Sequence, residues 1–367
     1  MVEKNNRVLV AMSGGIDSSI AALLLEEQGY ELVGMTMKTW DYSTAGTSSK
    51  ETGCCSLDSI NDARELAVRK GFPHYIIDIR EEFEGNIVNN FIGEYMVGRT
   101  PNPCILCNTF IKWEALLKRA DELNCYHIAT GHYAQLKEEN GRHYVTKGID
   151  GTKDQSYVLW GVSQQNLART IFPLGDFLKT EIRDLARQHG YDNLANKRES
   201  YEICFIPDND YRGFLKREVK DLEAAVAGGD FVLSDGTVVG KHDGFPFYTI
   251  GQRKGLLAMG EPVYVNEIDA ENNRVVIGPR EELMGDKMLV GRLNWQKYDH
   301  IEDGMPVMVQ IRHHDPGAPA RLYNEPNDTI RVEFDVKVSA ITPGQSAVFF
   351  EDGDVIAGGF IVKKLND

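Results

Sequence analysis

An unbroken apolar run, Val8-Leu9-Val10-Ala11-Met12, leads straight into Ser13-Gly14-Gly15-Ile16-Asp17-Ser18-Ser19, and apolar residues then recur at helical spacing until Gly29. The run reads as a strand buried on both faces, the glycines as a tight turn, and the periodic stretch 17–28 as a helix. That order of strand, tight loop and helix is the opening unit of a parallel α/β sheet. The alternation continues, with strands expected at 32–37, 75–79 and 127–129 and helices at 56–70 (closed by Gly71), 83–96 and 111–123. Such units predict a doubly wound parallel sheet. Beyond about Pro207 the pattern changes to short β-rich runs punctuated by Asp235-Gly236 and Asp352-Gly353, which read as hairpins, with strands at 307–311, 330–338 and 348–350 suggesting a small barrel. The expected division is 1–206 for an α/β catalytic domain, 207–284 for a small central β-rich domain and 285–367 for a C-terminal β-barrel.

A Ser-Gly-Gly-x-Asp-Ser-Ser turn between a buried strand and a helix aims backbone N–H groups and a helix N-terminus at one spot, an arrangement suited to phosphate. No Gly-Lys-Ser/Thr follows, so this is not a Walker loop. Asp17 is the unusual member, because a carboxylate beside phosphates is repulsive unless it caps the helix or helps hold Mg²⁺. An ordinary capped strand-to-helix turn is the plainer reading, disfavoured by the completeness of the motif.

At 367 residues the chain is long enough for two or three cores. No apolar run approaches a membrane-spanning length, residues 1–6 lack the order of a signal peptide, and the expectation is a cytoplasmic protein without a membrane partner. A net charge of −15 argues against indiscriminate nucleic-acid binding but leaves room for a local basic surface. Six cysteines are too few for a disulfide scaffold, and their clustering points to catalytic, redox or metal chemistry. Cys104-x-x-Cys107 lies in Arg99-Thr100-Pro101-Asn102-Pro103-Cys104-Ile105-Leu106-Cys107-Asn108, whose prolines are expected to hold it extended. A second segment carries Ile203-Cys204-Phe205. As inert core the C-x-x-C pair is a poor strand, and as a zinc site it lacks a second ligand pair. As a sulfur-handling or redox pair it needs nothing more, provided positive charge or a helix N-terminus favours thiolate. Cys125 reads as core, and no role is assigned to Cys54 and Cys55.

The loop resembles that of the PP-loop ATP pyrophosphatases, which attach AMP to an oxygen, release pyrophosphate and let a nucleophile displace AMP. Over essentially the whole chain the resemblance narrows to the tRNA-specific 2-thiouridylases. It is carried by SGGIDSS, Gly53-Cys54-Cys55-Ser56 before Asp62-Ala63-Arg64, TPNPCILCN, Ala129-Thr130-Gly131-His132-Tyr133, Lys153-Asp154-Gln155-Ser156-Tyr157, Ile203-Cys204-Phe205, Thr249-Ile250-Gly251-Gln252-Arg253-Lys254-Gly255 and Pro343-Gly344-Gln345.

The resemblance implies an adenine nucleotide α-hydrolase-like sheet and ATP-dependent 2-thiolation of the wobble uridine in tRNAs reading Lys, Glu and Gln codons. Ala11, Met12, Ser13, Gly14, Gly15, Ile16, Asp17, Ser18, Met37 and Gly131 would bind ATP with Mg²⁺. Cys204 would carry sulfur as a persulfide, and Cys107 would be the nucleophile that leaves a Cys107–Cys204 disulfide. Asn102, Pro103 and Cys104 would face the target base, and His132, Lys153, Asp154, Gln155, Arg312, His313 and Gln345 would contact tRNA. The implied partners are tRNA and a sulfur donor, either a relay protein or a cysteine desulfurase. Cys104 stands where a common form of the family pattern has Asp; it substitutes in proton transfer, or that role is dispensable, or Cys104, Cys107 and Cys204 ligate an iron–sulfur cluster, the reading ranked below the persulfide. The competing functions are a PP-loop enzyme using ammonia or an amine, and a non-catalytic RNA-binding module with a structural metal.

Overall fold

Residues 2–40, 56–197 and 203–365 are described by a computed structural model. They separate into two packed units, one comprising 1–87, 104–209 and 352–355, the other 88–103, 210–351 and 356–367.

The first unit is built on strand β1 (Arg7–Ala11), helix α1 (Ile16–Glu27), β2 (Glu31–Lys38), α2 (Leu57–Lys70), β3 (His74–Asp78), β4 (His127–Ala129), a β5–β6 hairpin (Ala134–Glu139, Arg142–Lys147) and β7 (Thr170–Ile171). Five of these strands form a wholly parallel sheet in the order β3-β2-β1-β4-β7, as the alternating pattern predicted. Val8, Leu9 and Val10 in the central strand are completely buried, each such side chain contributing roughly 1.5–3 kcal/mol relative to exposure. Helix α1 packs on the helix Lys179–Gln188, so Ile16, Ile20, Leu23 and Leu25 all go into the core. Helix α2 starts and stops where its residues dictate: the Ser56 hydroxyl accepts from the Ser59 N–H, and Gly71 closes it at φ +77° in the left-handed region.

The β5–β6 hairpin was not anticipated, although Asn140 (φ +52°) and Gly141 (φ +75°) are the expected pair for a two-residue turn. The cysteine segment differs from expectation too. Instead of staying extended, it turns helical at Pro103, with an α-turn Pro103–Leu106, a wide π-turn Cys107–Lys112 and the α-helix Trp113–Glu122 in succession. A proline opening a helix loses nothing, because the first N–H groups lack intrahelical acceptors. Likewise the stretch around 83–96 is composite, Arg80–Phe83, a π-turn Glu84–Val88 and Asn89–Met96.

In the second unit two short helices, Tyr211–Glu218 and Leu222–Val226, precede the strands, where sequence punctuation suggested strands alone. The first is capped by Asp210, which accepts from the Gly213 N–H at 2.9 Å. A four-stranded sheet follows, comprising β8 (Gly229–Val232), β9 (Val238–His242), β10 (Tyr264–Asp269) and β11 (Arg274–Gly278) in the order β10-β11-β8-β9. Then come β12 (Met284–Trp295), β13 (Met305–Gln310), β14 (Ala318–Glu325), β15 (Thr329–Ser339), β16 (Ser346–Glu351) and β17 (Asp354–Leu365), running β12-β15-β14-β13-β16-β17 and closing through β12–β17. This six-strand barrel has an aliphatic interior of Val290, Val309, Leu322, Val332 and Ile356. Asp352 (φ +50°) and Gly353 (φ +90°) make the tight turn predicted between the last two strands.

Candidate functional site

Sheet order reverses at β1, with β2 and β3 on one side and β4 and β7 on the other. The carboxyl ends of β1 and β4 therefore flank a topological switch point, where open α/β sheets bind ligands. Residues 12–15 leave β1 there, and Thr130-Gly131-His132-Tyr133 leave β4. The two loops touch: a Cβ on Gly131 would lie 2.8 Å from Asp17 C and Ser18 N, so only glycine admits the α1 N-terminus this closely. Gly14 is confined more severely. At φ +67°, its hypothetical Cβ would fall 1.9 Å from the Ser59 carbonyl oxygen in the first turn of α2.

Gly15 at the α1 N-cap offers no side-chain hydrogen bond to the helix, which leaves the first-turn N–H groups without that usual partner. Ser18 instead ties the loop to itself, its hydroxyl accepting from the Ser13 N–H (3.1 Å) and donating to the Gly15 carbonyl (3.2 Å). The Ser19 hydroxyl is buried without a protein partner. Thr36 Oγ1 donates to the Met12 carbonyl (2.7 Å) and meets His74 Nε2 at 2.9 Å. Because the threonine proton is already committed, His74 supplies the Nε2 proton; burial, then Arg64, lowers its pKa. Ala11 and Met37 occupy the carboxyl-terminal ends of β1 and β2, and Ile16 begins α1 with its side chain in the core.

Two lysines that sequence reasoning did not single out define the charge of this loop. Lys179 Nζ sits 2.6 Å from Asp17 Oδ1, which also accepts from the Tyr133 hydroxyl at 2.7 Å. The Lys179 residue is only 7% exposed, and its backbone N–H is held by Asp150 Oδ2 at 2.9 Å. Lys197 Nζ donates to the Gly14 carbonyl (2.9 Å), Ser59 Oγ (3.3 Å) and Asp62 Oδ2 (2.7 Å). Asp17 is thus neither a helix cap nor an open carboxylate. It anchors a cation beside the uncapped helix end, which makes the loop hospitable to anions.

The thiols of the same unit lie on two elements. Cys107 is buried at the start of its π-turn, whereas Cys104, one helical turn earlier, is exposed. Enough protein rings Cys104 for desolvation to raise its thiol pKa, with Lys112 acting in the opposite sense. Cys204 is partly buried, and the next residue, Phe205, packs edge-on against Phe83 (5.8 Å) and tilted against Trp40 (6.0 Å). The turn Arg80–Phe83 also packs on Cys107–Lys112, so this turn neighbours the Cys107 segment and, through Phe83, Phe205 beside Cys204. Among the described residues no three His, Cys, Asp or Glu side chains converge as a metal site. Cys54 and Cys55 lie outside the described residues.

Comparison with known proteins accords with this arrangement. A family model described as the tRNA methyl transferase HUP domain matches residues 6–208, and companions described as a tRNA methyl transferase PRC-barrel domain and an aminomethyltransferase β-barrel domain match 212–279 and 285–361. The tRNA-specific 2-thiouridylase MnmA of Amoebophilus asiaticus is 62% identical over 98% of this chain and 96% of its own. Those of Cytophaga hutchinsonii and Salinibacter ruber are 59% and 56% identical, each over 98% of this chain and over 98% and 95% of their own length. The chain belongs to the tRNA-specific 2-thiouridylase family.

Several positions at which the 2-thiouridylase resemblance implied tRNA contacts carry internal duties. Gln155 Oε1 accepts from the Tyr133 N–H (3.0 Å), and both Asp154 carboxylate oxygens accept locally, from Gly148 N and Ser156 Oγ. The His132 ring lies 5.8 Å from Trp113, its Nδ1 is 2.8 Å from Thr130 Oγ1, and burial, then Lys112, lowers its pKa to about 3. Its imidazole is neutral near pH 7. Lys153 is partly buried, its N–H closing a turn onto the Asp150 carbonyl. In the second unit Arg312 Nη2 donates to the Ile250 and Ala340 carbonyls and to Thr342 Oγ1, and His313 stacks at 4.6 Å on His314. Gln345 bonds the backbone of Thr100 and Pro101, immediately ahead of Asn102 and Pro103. Tyr133 stood inside a recognised motif, but Lys179 and Lys197 belong to no local pattern and converge only by folding.

Proposed function

We propose that this 2-thiouridylase family member performs ATP-dependent 2-thiolation of the tRNA wobble uridine in acceptors for Lys, Glu and Gln, yielding 2-thiouridine, AMP and pyrophosphate. The observation that carries the reading is an uncapped helix end with Lys179 and Lys197 beside it, in the same unit as Cys104, Cys107 and Cys204. Residues 11–18, with Met37 and Gly131 at neighbouring strand ends, receive ATP. Asp17 is held by Lys179 and Tyr133, and Mg²⁺ would enter with the triphosphate of ATP.

Uridine O2 attacks the α-phosphate and pyrophosphate leaves, converting a poor leaving oxygen into AMP. The outer sulfur of a Cys204 persulfide then bonds to C2. The Cys107 thiolate attacks the inner Cys204 sulfur, the S–S electrons pass to the transferred sulfur, and AMP departs. A thiol reductant reopens the resulting Cys107–Cys204 disulfide. Sulfur reaches Cys204 from a desulfurase or relay protein. Asn102, Pro103 and Cys104 face a base flipped from its stack, and Lys153, Arg312 and His313 contact tRNA. The corresponding division of the chain is 1–206, 207–284 and 285–367, and the site of action is the cytoplasm; among the described residues no helix is long and apolar enough to cross a membrane.

The test is mass spectrometry of wobble uridines after incubation with ATP, unmodified tRNA and a persulfide donor, with pyrophosphate followed in parallel. Cys107→Ser and Cys204→Ser should each abolish thiolation while ATP still binds. Thiolation at the wild-type rate by either variant refutes the two-thiol route, and a methylated or amidated product refutes the assignment.

A further inference from the structure

The two groups that hold the Asp17 carboxylate, Tyr133 and Lys179, are themselves held by one turn of the first unit, residues 148–156. On one branch the Tyr133 hydroxyl donates to Asp17 Oδ1 at 2.7 Å, and Gln155 grips the Tyr133 backbone, its Oε1 accepting from the Tyr133 N–H (3.0 Å) and its N–H donating to the Tyr133 carbonyl (2.9 Å). On the other, Lys179 Nζ reaches the same carboxylate oxygen at 2.6 Å, and Asp150 Oδ2 accepts the Lys179 backbone N–H at 2.9 Å. Asp150 also closes the turn: Oδ1 accepts from the Thr152 N–H (3.0 Å) and hydroxyl (2.7 Å), and the Asp150 carbonyl accepts from the Lys153 N–H (2.9 Å). The turn lies tightly on its neighbours. A Cβ on Gly148 would fall 3.1 Å from the Tyr133 carbonyl oxygen, one on Gly175 would fall 2.2 Å from that of Ala134, and the Ile149 N–H bonds the Gly175 carbonyl at 3.0 Å. Asp150 and Tyr133 are buried, whereas Gly151 and Thr152 at the tip are exposed.

We propose that Asp150 and Tyr133 are positioning residues that couple RNA at the 150–155 turn to ATP at the phosphate loop, so that each ligand binds more tightly when the other is present. This rests on the reading above, in which Lys153 contacts tRNA and residues 11–18 receive ATP. Each hydrogen bond in the two branches shares a residue with the next, and packing this close transmits a displacement rather than absorbing it. Contact at the turn fixes Asp150 and Gln155, these fix Lys179 and Tyr133, and together they set Asp17 in the first turn of α1. ATP ordering the loop acts along the same bonds in reverse. Adenylation is thereby favoured when its acceptor is in place.

The test measures binding of α,β-methylene ATP, which lacks the bond that adenylation breaks, with and without an unmodified acceptor tRNA, and binding of that tRNA with and without the analogue. For the wild type each ligand should tighten the other about fivefold or more, by the same factor in both directions. Tyr133→Phe deletes one hydroxyl and keeps the ring in the core; Asp150→Ala removes every side-chain acceptor and Asp150→Asn retains one. The factor should fall to less than half in Tyr133→Phe and in Asp150→Ala, with Asp150→Asn between Asp150→Ala and the wild type. A merely structural role would weaken a ligand equally with and without the other and leave the factor unchanged. Wild-type thiolation, followed alongside by mass spectrometry, reports on the functional reading, whereas the factor reports on the coupling alone. A wild-type factor near one, or a wild-type factor retained by Tyr133→Phe, overturns the proposal.

Discussion

Lys179→Met probes the centre of the phosphate loop. The substitution keeps the length and apolar stem of a side chain that is 9% exposed, and deletes the ammonium 2.6 Å from Asp17, whose side chain is 33% exposed. Breaking a fully buried pair costs about 3–5 kcal/mol and an exposed one about 0–1. With one partner buried and the other a third open to water, the loss should be about 2 kcal/mol, or roughly 4–8 °C in melting temperature for a unit of this size. Asp17→Asn should cost a similar amount. The double variant should recover about 1–2 kcal/mol of the summed losses, because neither charge then remains unpartnered. Thermal melts of the four proteins measure this, and calorimetry should show ATP bound about ten- to a hundredfold more weakly by Lys179→Met, the value of one charge-assisted hydrogen bond. Additive losses would refute the pairing, and unaltered ATP affinity would refute its role in the loop.

Two other outcomes follow from the same site. Gly14→Ala sets a methyl against the Ser59 carbonyl in a backbone region alanine avoids, and should lose roughly 1–3 kcal/mol together with ATP binding; a stable, ATP-binding variant would contradict it. His132, with a folded pKa of about 3 against 6.5 when unfolded, stays neutral in the native protein while the unfolded chain takes up a proton, so its contribution to stability is intact above pH 6.5 and falls as pH drops toward 3. At pH 5 the deficit is about 2 kcal/mol, and His132→Phe should flatten the dependence of melting temperature between pH 7 and 5 by that amount.

The β1–loop–α1 order was legible because its signals are local: a continuous apolar run, adjacent glycines, then Gly29. So were the Ser56 and Gly71 ends of α2. Helix formation at Pro103 was misread because Pro101 and Pro103 look alike in sequence, yet one precedes a helix and the other opens it. The β5–β6 hairpin announced itself in Asn140-Gly141 but lay beside a more conspicuous motif. Lys179 and Lys197 were invisible for a different reason, since Asp17 and Lys179 lie 162 positions apart and no periodicity reports such a meeting. The sequence resemblance nominated Gln345 and Gln155 as tRNA contacts, but no local pattern reported that their side chains also hydrogen-bond distant backbone.

The turn between the last two strands bears on how such a chain can be made. Asp354 is buried in the first unit, pairing in register with Thr146 and receiving Lys137 Nζ at 2.8 Å. That unit therefore lacks one of its pieces until the ribosome has passed position 354, well over a hundred residues after the rest of it. Domains that emerge early usually close on themselves early. Here the nucleotide-binding unit keeps the β6 end of its hairpin unfinished while the second unit's strands are made, and a gene fragment ending at residue 206 would encode that unit without its final piece.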